Sequence, residues 1–252
     1  MQNIRGFMRC SAVTQTCAVL LTLGLSALVH AGLMDDVRAN HEAQALALLA
    51  SSEHDVNQRM ADDTTPLHWA VYNGNLTLVQ ALLAHGAAVN VQNDYHATPM
   101  SEAGTLGRAD ILKVLLDAGG DVESPTREKQ TVLMSVVRTP HVEAAELLLA
   151  HGANPNAAET WRGQTALMFA SAQSQPAMVR LLLAHGADPD AVSHFEEWER
   201  QVTNEPRPQS RPLGAFTALL FAAREGCLEC VRFLVDGGAS INRWIRTASR
   251  HS

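Results

Sequence analysis

The sequence predicts an all-α fold, a solenoid of about six stacked helix-turn-helix units. A glycine that can close an apolar helix recurs at Gly86, Gly119, Gly152 and Gly186, at steps of 33, 33 and 34 residues. A threonine leads each of these units, beginning with Thr65, and the chain is 46% hydrophobic. Because one pair of short helices cannot bury its apolar faces alone, units of this period must stack on one another.

The unit that begins at Thr65 shows how each predicted element starts and stops. Thr65 is suited to cap a first short helix, with Pro66 in the first turn, where a missing N–H costs nothing. Gly74 ends that helix. A second helix is predicted from about residue 76 to 84, with apolar faces of leucine and valine, and Gly86 supplies the left-handed residue that closes it.

Two other units vary this pattern, one as a charged capping repeat and one at a corner that lacks the glycine. Residues 32–64 keep the register, because Asp55-Val56-Asn57 lies 33 residues before Ala88-Val89-Asn90, and they are predicted to form an N-terminal capping repeat. Its outer helix is expected to carry the charges of Asp35, Asp36, Arg38, His41 and Glu42. In the fourth unit Pro140 stands where the helix-ending glycine should be, which predicts a distorted corner.

The opening Thr65-Pro66-Leu67-His68 and the closing Leu82-Leu83, Gly86-Ala87 and Val89-Asn90 resemble the ankyrin repeat family, across residues 65–244. The resemblance implies a structural His68 that hydrogen-bonds the adjacent turn. It also implies a rigid concave surface that binds a protein partner through first helices and turn tips. The corresponding first-helix positions are Tyr72, Asn73, Thr105, Leu106, Arg138, Thr139, Ala172, Gln173, Arg224 and Glu225. The corresponding turn-tip positions are Asp94, Tyr95, Arg127, Glu128, Trp161 and Arg162.

The segment Leu-Leu-Ala-His-Gly-Ala occurs three times and places His85, His151 and His185 in one frame, just before the closing glycine. His85 and His151 are two units apart and therefore roughly 20 Å apart, too far to share one metal ion. His151 and His185 are neighbours but lack a third ligand. We interpret the three histidines as helix-end residues copied with the repeat, and we predict no metal or cofactor.

Residues 1–31 are predicted to be a secretory signal peptide, with Arg5 and Arg9, then a short apolar run, then small residues before a cleavage point after Ala31. An uncleaved membrane anchor is the alternative, but the run is shorter than the about 20 residues that span a bilayer. Cleavage removes two arginines and no acid, which takes the formal charge from −7 to −9. We expect a periplasmic or secreted protein that binds neither nucleic acid nor, after cleavage, a membrane.

Cys227 and Cys230 form a C-x-x-C pair, the two cysteines that remain after the predicted cleavage. In an oxidising compartment they are compatible with a redox pair or a passive disulfide. Their places in the repeat, one variable and one buried, favour two reduced thiols that pack in the core.

An insertion at about residues 192–214 stretches the next step between closing glycines to 52 residues, which adds about 19 residues to a turn. Phe195, Trp198 and Val202 are spaced as one face of a short helix. Insertions in repeat arrays often emerge on the binding face, so Phe195 and Trp198 are candidate partner-binding residues. The alternative is that they fold back onto their own solenoid.

The sequence contains no nucleophile elbow, phosphate loop or zinc-protease helix, and we predict no enzymatic activity. A non-enzymatic protein-binding module is the favoured function. A redox or stress-protection protein that uses the cysteine pair, and a periplasmic chaperone or inhibitor, are the alternatives.

The last predicted helix, residues 227–236, is apolar on more than one side, whereas a terminal repeat should present a polar outer face. Residues 245–252 are expected to be a C-terminal tail. Either Trp244 and Ile245 fold back as a minimal cap, or another copy or a partner covers the surface, or the array is truncated. We favour truncation or intermolecular cover, which predicts self-association through the C-terminal repeat.

Overall fold

The computed structural model describes residues 32–51, 54–126, 128–196 and 213–242, and within them twelve helices form six antiparallel pairs. The first helix of each pair is α1 (Leu33–Arg38), α3 (Pro66–Tyr72), α5 (Pro99–Leu106), α7 (Val132–Val137), α9 (Ala166–Ala172) and α11 (Ala218–Arg224). The second is α2 (Glu42–Ala50), α4 (Leu76–Ala84), α6 (Ala109–Asp117), α8 (Val142–Ala150), α10 (Pro176–Ala184) and α12 (Leu228–Asp236). The predicted all-α solenoid is confirmed.

The pairs stack into two layers of helices. Each first helix packs on the first helix of the next pair, and each second helix packs on the next second helix. The core runs unbroken between the layers from Leu33 to Leu234, and it includes fully buried Leu78, Leu112 and Leu148 from successive second helices. Every unit is therefore stabilised mainly by its neighbours, as expected for a solenoid.

Asparagines of the closing pattern join one unit to the next. The side-chain amide of Asn57 donates to the carbonyl of Gly86 at 3.1 Å and its oxygen accepts the N–H of Ala88 at 2.7 Å. Asn90 and Asn156 each make the same pair of hydrogen bonds one unit further on. These bonds satisfy backbone groups at the helix ends, which would otherwise lack partners.

The first helices normally end in a left-handed residue. Gly107, for example, has φ +65° at the end of α5, and the following N–H, that of Arg108, donates to the carbonyl of Ala103 at 3.3 Å. Asn40, Gly74, Ser174 and Gly226 also have positive φ. At each of these four helix ends, the N–H of the residue after the left-handed one donates to the carbonyl five residues earlier. This hydrogen bond stabilises each corner.

The corner of the fourth unit is distorted, as predicted. Proline cannot adopt positive φ, so Pro140 cannot repeat the closure of its neighbours. Helix α7 ends at Val137, and Thr139 donates both its hydroxyl, at 2.7 Å, and its N–H, at 2.9 Å, to the carbonyl of Val136. Thr139 thus supplies hydrogen bonds to the carbonyl of Val136, whose equivalent in a left-handed corner, the carbonyl of Ala103, accepts the N–H of Arg108.

The N-terminal unit differs from expectation in one charged residue. Asp35, Arg38, His41 and Glu42 are exposed, but Asp36 is buried on α1. Its carboxylate lies 3.3 Å from Nδ1 of His41, which begins the next helix. Burial of a carboxylate requires a partner, and His41 provides it.

The expected helix at the start of the insertion is wrong for Phe195. Residues Phe195–Glu196 form a short strand, β1, that pairs antiparallel with β2, Leu213–Gly214. An insertion must return to its starting point, and antiparallel pairing satisfies the backbone of both ends. Trp198 and Val202 lie outside the described residues.

No helix in the described parts of the chain has the length and apolar character that crossing a membrane requires.

Candidate functional site

The exposed ends of the first helices and the turn tips beside them form one surface, which we call the inner groove. Each tip is a short hairpin closed by a backbone hydrogen bond, such as that from the N–H of Asn93 to the carbonyl of Ala97 at 3.0 Å. Equivalent bonds begin at Met60, Thr126, Glu159 and Ser193. The tips of successive units are therefore built alike and stand in a row.

The insertion replaces the last of these tips. The N–H of Ser193 donates to the carbonyl of Phe216 at 3.0 Å, as that of Asn93 donates to Ala97, so the sequence between the two ends is 194–215 here and 94–96 in the earlier unit. The difference is the predicted addition of about 19 residues. The described ends of the insertion lie beside the neighbouring tip, where the N–H of His194 donates to the carbonyl of Arg162.

Four of the predicted binding residues are large apolar side chains that the fold leaves in solvent. Tyr72 is 61% exposed, Tyr95 75%, Trp161 66% and Leu106 38%. Tyr72 and Leu106 end the helices α3 and α5, whereas Tyr95 and Trp161 lie on tips. Exposed aromatic side chains on one surface are typical of protein-binding sites.

Other predicted residues hold the scaffold together. The amide of Asn73 donates to the carbonyl of Val37 at 2.9 Å, and Thr139 closes the corner of α7 as described above. The hydroxyl of Thr105 donates to the carbonyl of Ser101 within α5. Ala172 is half-buried against the core. Their role in partner binding stays a prediction, but each has a structural task that sequence position alone does not reveal.

Three arginines at predicted partner-binding positions stack on aromatic rings. The guanidinium carbon of Arg138 lies 4.7 Å from the centroid of Phe169, and that of Arg162 lies 4.2 Å from the centroid of Trp161. Arg224 lies over Phe221 at 5.2 Å and also pairs with Glu225. These contacts place planar cations over rings, a geometry that holds both partners in place at the surface.

The remaining predicted positions lie at the tips or outside the described residues. The N–H of Asp94 donates to the carbonyl of Asp62, and the carbonyl of Glu128 accepts from Thr160, so adjacent tips are tied together. Gln173 is exposed at the end of α9 and accepts from Gln175. Arg127 and Trp198 lie outside the described residues.

A pocket of about 270 Å³ lies between α3, α5 and two tips. Its walls include Trp69, Glu102 and Asp62, which the repeat resemblance does not single out, beside Tyr72 and Tyr95, which it does. We call it the aromatic pocket. Trp69 and Glu102 occupy the same place in successive first helices, four residues after the leading threonine, and this alignment was the signal that could have found them.

The acidic groups of the aromatic pocket differ in environment. The carboxylate of Glu102, on α5, is half-buried. This loss of solvation disfavours its charged form and raises its pKa. The backbone hydrogen bond from Thr64 lowers the pKa of Asp62, which is solvated. Trp69 is held by a hydrogen bond from its indole N–H to the sulfur of Met60 and by an edge contact with Tyr72, at 5.6 Å between centroids.

The three histidines of the repeated Leu-Leu-Ala-His-Gly-Ala segment lie at helix ends in the structure. His85 and His151 are exposed, and Nδ1 of each lies 2.8 Å from a carbonyl one turn back in its own helix. His185 is exposed at the same place of α10. His68 instead joins two units, since its Nδ1 meets Thr65 and its Nε2 lies 3.1 Å from the carbonyl of Ala97.

The preference for reduced cysteines is wrong, because Cys227 and Cys230 form a disulfide. Cys227 is the N-cap of α12 and Cys230 lies in its first turn, so their Cα atoms are 5.3 Å apart, a distance that a disulfide spans easily. Cys230 is fully buried. Among the described residues no three histidine, cysteine or acidic side chains are grouped as metal ligands would be.

Comparison with known proteins identifies the repeat. A family model for ankyrin repeats in three copies matches residues 33–126 and 119–193, and a single ankyrin repeat model matches residues 216–246. The ankyrin repeat, SAM and basic leucine zipper domain-containing protein 1 of Otolemur garnettii and that of Ovis aries are each 33% identical to the chain over 112 residues. This match covers 42% of the chain but only 23% of either relative.

The crystal structure of the human ASB11 ankyrin repeat domain is similar, with a TM-score of 0.66 and 25% identity over 84% of this chain and 85% of that one. Ankyrin repeats generally mediate protein–protein interaction, and their fold is typically a non-enzymatic scaffold. Since the repeat models match most of its length, the chain belongs to the ankyrin repeat family.

Proposed function

We propose that this chain is an exported, non-enzymatic module that binds a protein partner through the inner groove and the adjoining insertion. The observation that carries the proposal is the group of exposed apolar side chains on the inner groove, Tyr72, Tyr95, Leu106 and Trp161. Water-exposed aromatic residues on a rigid scaffold bind with little loss of side-chain entropy. The insertion begins beside the same surface, since the N–H of His194 donates to the carbonyl of Arg162 on the neighbouring tip.

Export is supported by the signal-like residues 1–31 and by the disulfide between Cys227 and Cys230. Disulfides persist in oxidising compartments such as the periplasm and the extracellular space. N-terminal sequencing of the protein from its own host tests the proposal. We expect a mature chain that begins at Gly32, and a chain that retains residues 1–31 would contradict export.

Partner binding is tested by affinity purification of the tagged, exported protein from its own host. We expect a partner that the wild type retains and the double variant Tyr95→Ala, Trp161→Ala loses. The matched control is Gln80→Ala, Glu146→Ala, which changes exposed residues on the second helices α4 and α8. Equal recovery of the partner by all three proteins would show that the inner groove is not the binding surface.

The alternatives differ in what the purification recovers. A chaperone or inhibitor would bind through the same groove, and a chaperone would retain many clients rather than one partner. The redox alternative needs an accessible sulfur, since exchange begins with attack on one. Cys230 is fully buried, which leaves only the half-buried Cys227 for that attack. Self-association through the C-terminal repeat is a further part of the proposal, because Leu228 of α12 is 81% exposed.

A further inference from the structure

The inner groove repeats one arrangement, in which an arginine at the end of one first helix lies over an aromatic ring of the next. Arg38 of α1 lies 5.5 Å from the ring centroid of Trp69 on α3, and Arg138, directly after α7, lies 4.7 Å from that of Phe169 on α9. The two arginines occupy the same position of their units, two residues before the corner. At these two junctions, out of five between successive first helices, a guanidinium group lies between neighbouring helices.

Between α3 and α5 this arrangement is inverted. The arginine position is taken by Tyr72 and the ring position by Glu102, and both side chains line the aromatic pocket. The pocket has a second carboxylate, Asp62, and two further rings, Trp69 and Tyr95. The walls therefore carry negative charge and aromatic faces, which are the two features that attract a cation.

The carboxylate of Glu102 makes no hydrogen bond or ion pair with another described residue, although its backbone N–H donates to the carbonyl of Thr98 within α5. Its carboxylate is half-buried, and this loss of solvation raises its pKa. A buried charge without a partner costs free energy, which a bound cation would recover. The structure around the carboxylate is rigid, because Trp69 is held on one side by Arg38 and on its N–H by Met60.

We infer that the aromatic pocket binds the side chain of an arginine presented by the protein partner. The inference rests on the proposed function, since the arginine comes from the partner, and it assigns the chemistry of one contact. The guanidinium stacks between the rings of Tyr72 and Tyr95 and pairs with the carboxylates of Glu102 and Asp62. It thereby supplies, from outside, a cation such as Arg38 and Arg138 supply from the chain itself at two other junctions.

Arginine fits the pocket better than lysine. Its guanidinium is planar, stacks on aromatic rings and is weakly hydrated, so less solvation is lost on entry into a partly buried pocket. A pocket of about 270 Å³ also has room for a single side chain.

The test uses the mature protein labelled with ¹⁵N, titrated with Nα-acetyl-arginine methylamide. The indole N–H signal of Trp69, assigned with the variant Trp69→Phe, reports binding. We expect a saturable shift with the arginine probe, little shift with the uncharged citrulline analogue, and a weaker shift with the lysine analogue. Equal shifts from the arginine and citrulline probes would overturn the inference, and so would tighter binding of the lysine probe.

Variants locate the effect. Glu102→Gln keeps the shape and removes the charge, and it should weaken the arginine probe about tenfold, the loss expected when a charge-assisted contact becomes neutral. Glu146→Gln makes the same change of net charge on the outer helix α8 and should leave the affinity unchanged. Equal weakening by both variants would mean that only the acidic net charge attracts the probe.

The two proposals fail in different ways. If the pocket takes the probe but no partner depends on Tyr95 and Trp161, the guanidinium chemistry of the pocket stands, whereas the proposed function and the assignment of the arginine to a partner fail together. If a partner depends on Trp161 but neither partner nor probe responds to Glu102→Gln, the binding module stands and the arginine pocket is refuted.

Discussion

His68 and Ala97 join two consecutive repeats, with Nε2 of the imidazole 3.1 Å from the carbonyl oxygen of Ala97. The other ring nitrogen, Nδ1, accepts the N–H of Thr65 at the start of its own helix. An imidazole that accepts at Nδ1 and donates from Nε2 is neutral. Burial lowers the pKa of His68, more than the hydrogen bond to Ala97 raises it.

This arrangement predicts that stability falls on acidification. The unfolded chain takes up the proton first, as the pH falls below about 6.5, so the stability contributed by His68 is complete above that value and is lost toward the lower pKa of the folded state. We expect His68→Gln to reduce the slope of the free energy of unfolding against pH between pH 7.5 and 5.5, by at most about 1.4 kcal/mol per pH unit.

Urea unfolding at several pH values measures this dependence. His151→Gln, at an exposed helix end, is the matched control and should keep the wild-type slope. The raised pKa of Glu102 acts in the opposite sense, and because His68→Gln leaves Glu102 in place, the comparison with the wild type isolates the contribution of His68. An unchanged slope in His68→Gln would show that His68 is not responsible.

The three copied histidines should contribute little. His85 and His151 bond only to their own helices and are exposed, so His85→Ala, His151→Ala and His185→Ala should each cost within about 0.5 kcal/mol, as surface substitutions usually do. Thermal melts with and without a chelator should coincide. A melting temperature that drops on addition of the chelator would reveal a metal site among them.

Two glycines should differ in the cost of replacement. Gly152 has φ +89° but open space where a side chain would lie, so Gly152→Val suffers mainly from backbone strain, about 1–3 kcal/mol. Gly107 has φ +65°, and an added Cβ there would also overlap the imidazole of His141. Gly107→Ala should therefore destabilise more than Gly152→Ala in chemical unfolding.

A double-mutant cycle separates the two causes at this corner. His141→Ala removes the overlapping ring, and it should recover part of the loss in Gly107→Ala while leaving the backbone strain. Additive losses in the double variant would mean that the imidazole moves aside at no cost.

Most of the architecture followed from the period of the sequence, because stacking forces each unit to repeat the same helices. Helix α4 spans the predicted residues 76–84. The path of Phe195 did not follow, since its apolar spacing suits a helix while the closure of the insertion favours a strand. The roles of Asn73 and Thr139 were also missed, because they depend on carbonyls at Val37 and Val136 that only the folded corners expose.

The sequence was enough to predict which surface carries the candidate site, the inner groove, but not which residues form the aromatic pocket. The repeat frame placed Tyr72, Tyr95 and Trp161 on it, but it gave no reason to group Asp62 with Glu102, forty residues apart in sequence. The contact between a tip and the next first helix brings them together, and single-unit patterns do not encode that contact.

The disulfide should stabilise the last unit modestly. Cys227 and Cys230 close a loop of only four residues, for which chain entropy predicts about 2 kcal/mol. A reductant should lower the melting temperature of the wild type but not that of the variant Cys227→Ser, Cys230→Ala. Thiol titration of the exported protein is the direct check, and one thiol that is alkylated well below pH 8 would instead favour the redox alternative.

The C-terminal face of the described array is partly apolar. Leu228 is 81% and Ile241 72% exposed, and Val235 is also exposed on α12. Phe233 is covered better than the sequence suggested, because it packs on the core and Arg180 of α10 lies 5.9 Å from its ring centroid. Residues 243–252, with Trp244 and Ile245, lie outside the described residues.

This face predicts self-association, because a solenoid end that lacks a polar outer surface exposes core-like positions to water. Sedimentation velocity over a wide concentration range should show association by the mature protein, and one designed polar capping repeat appended after Asn242 should abolish it. Leu228→Gln with Ile241→Gln should weaken association, whereas Tyr95→Gln, which removes an equally exposed side chain from the inner groove, should not. A monomer at every concentration would refute the prediction, and association lost only in Tyr95→Gln would place the contact in the groove instead.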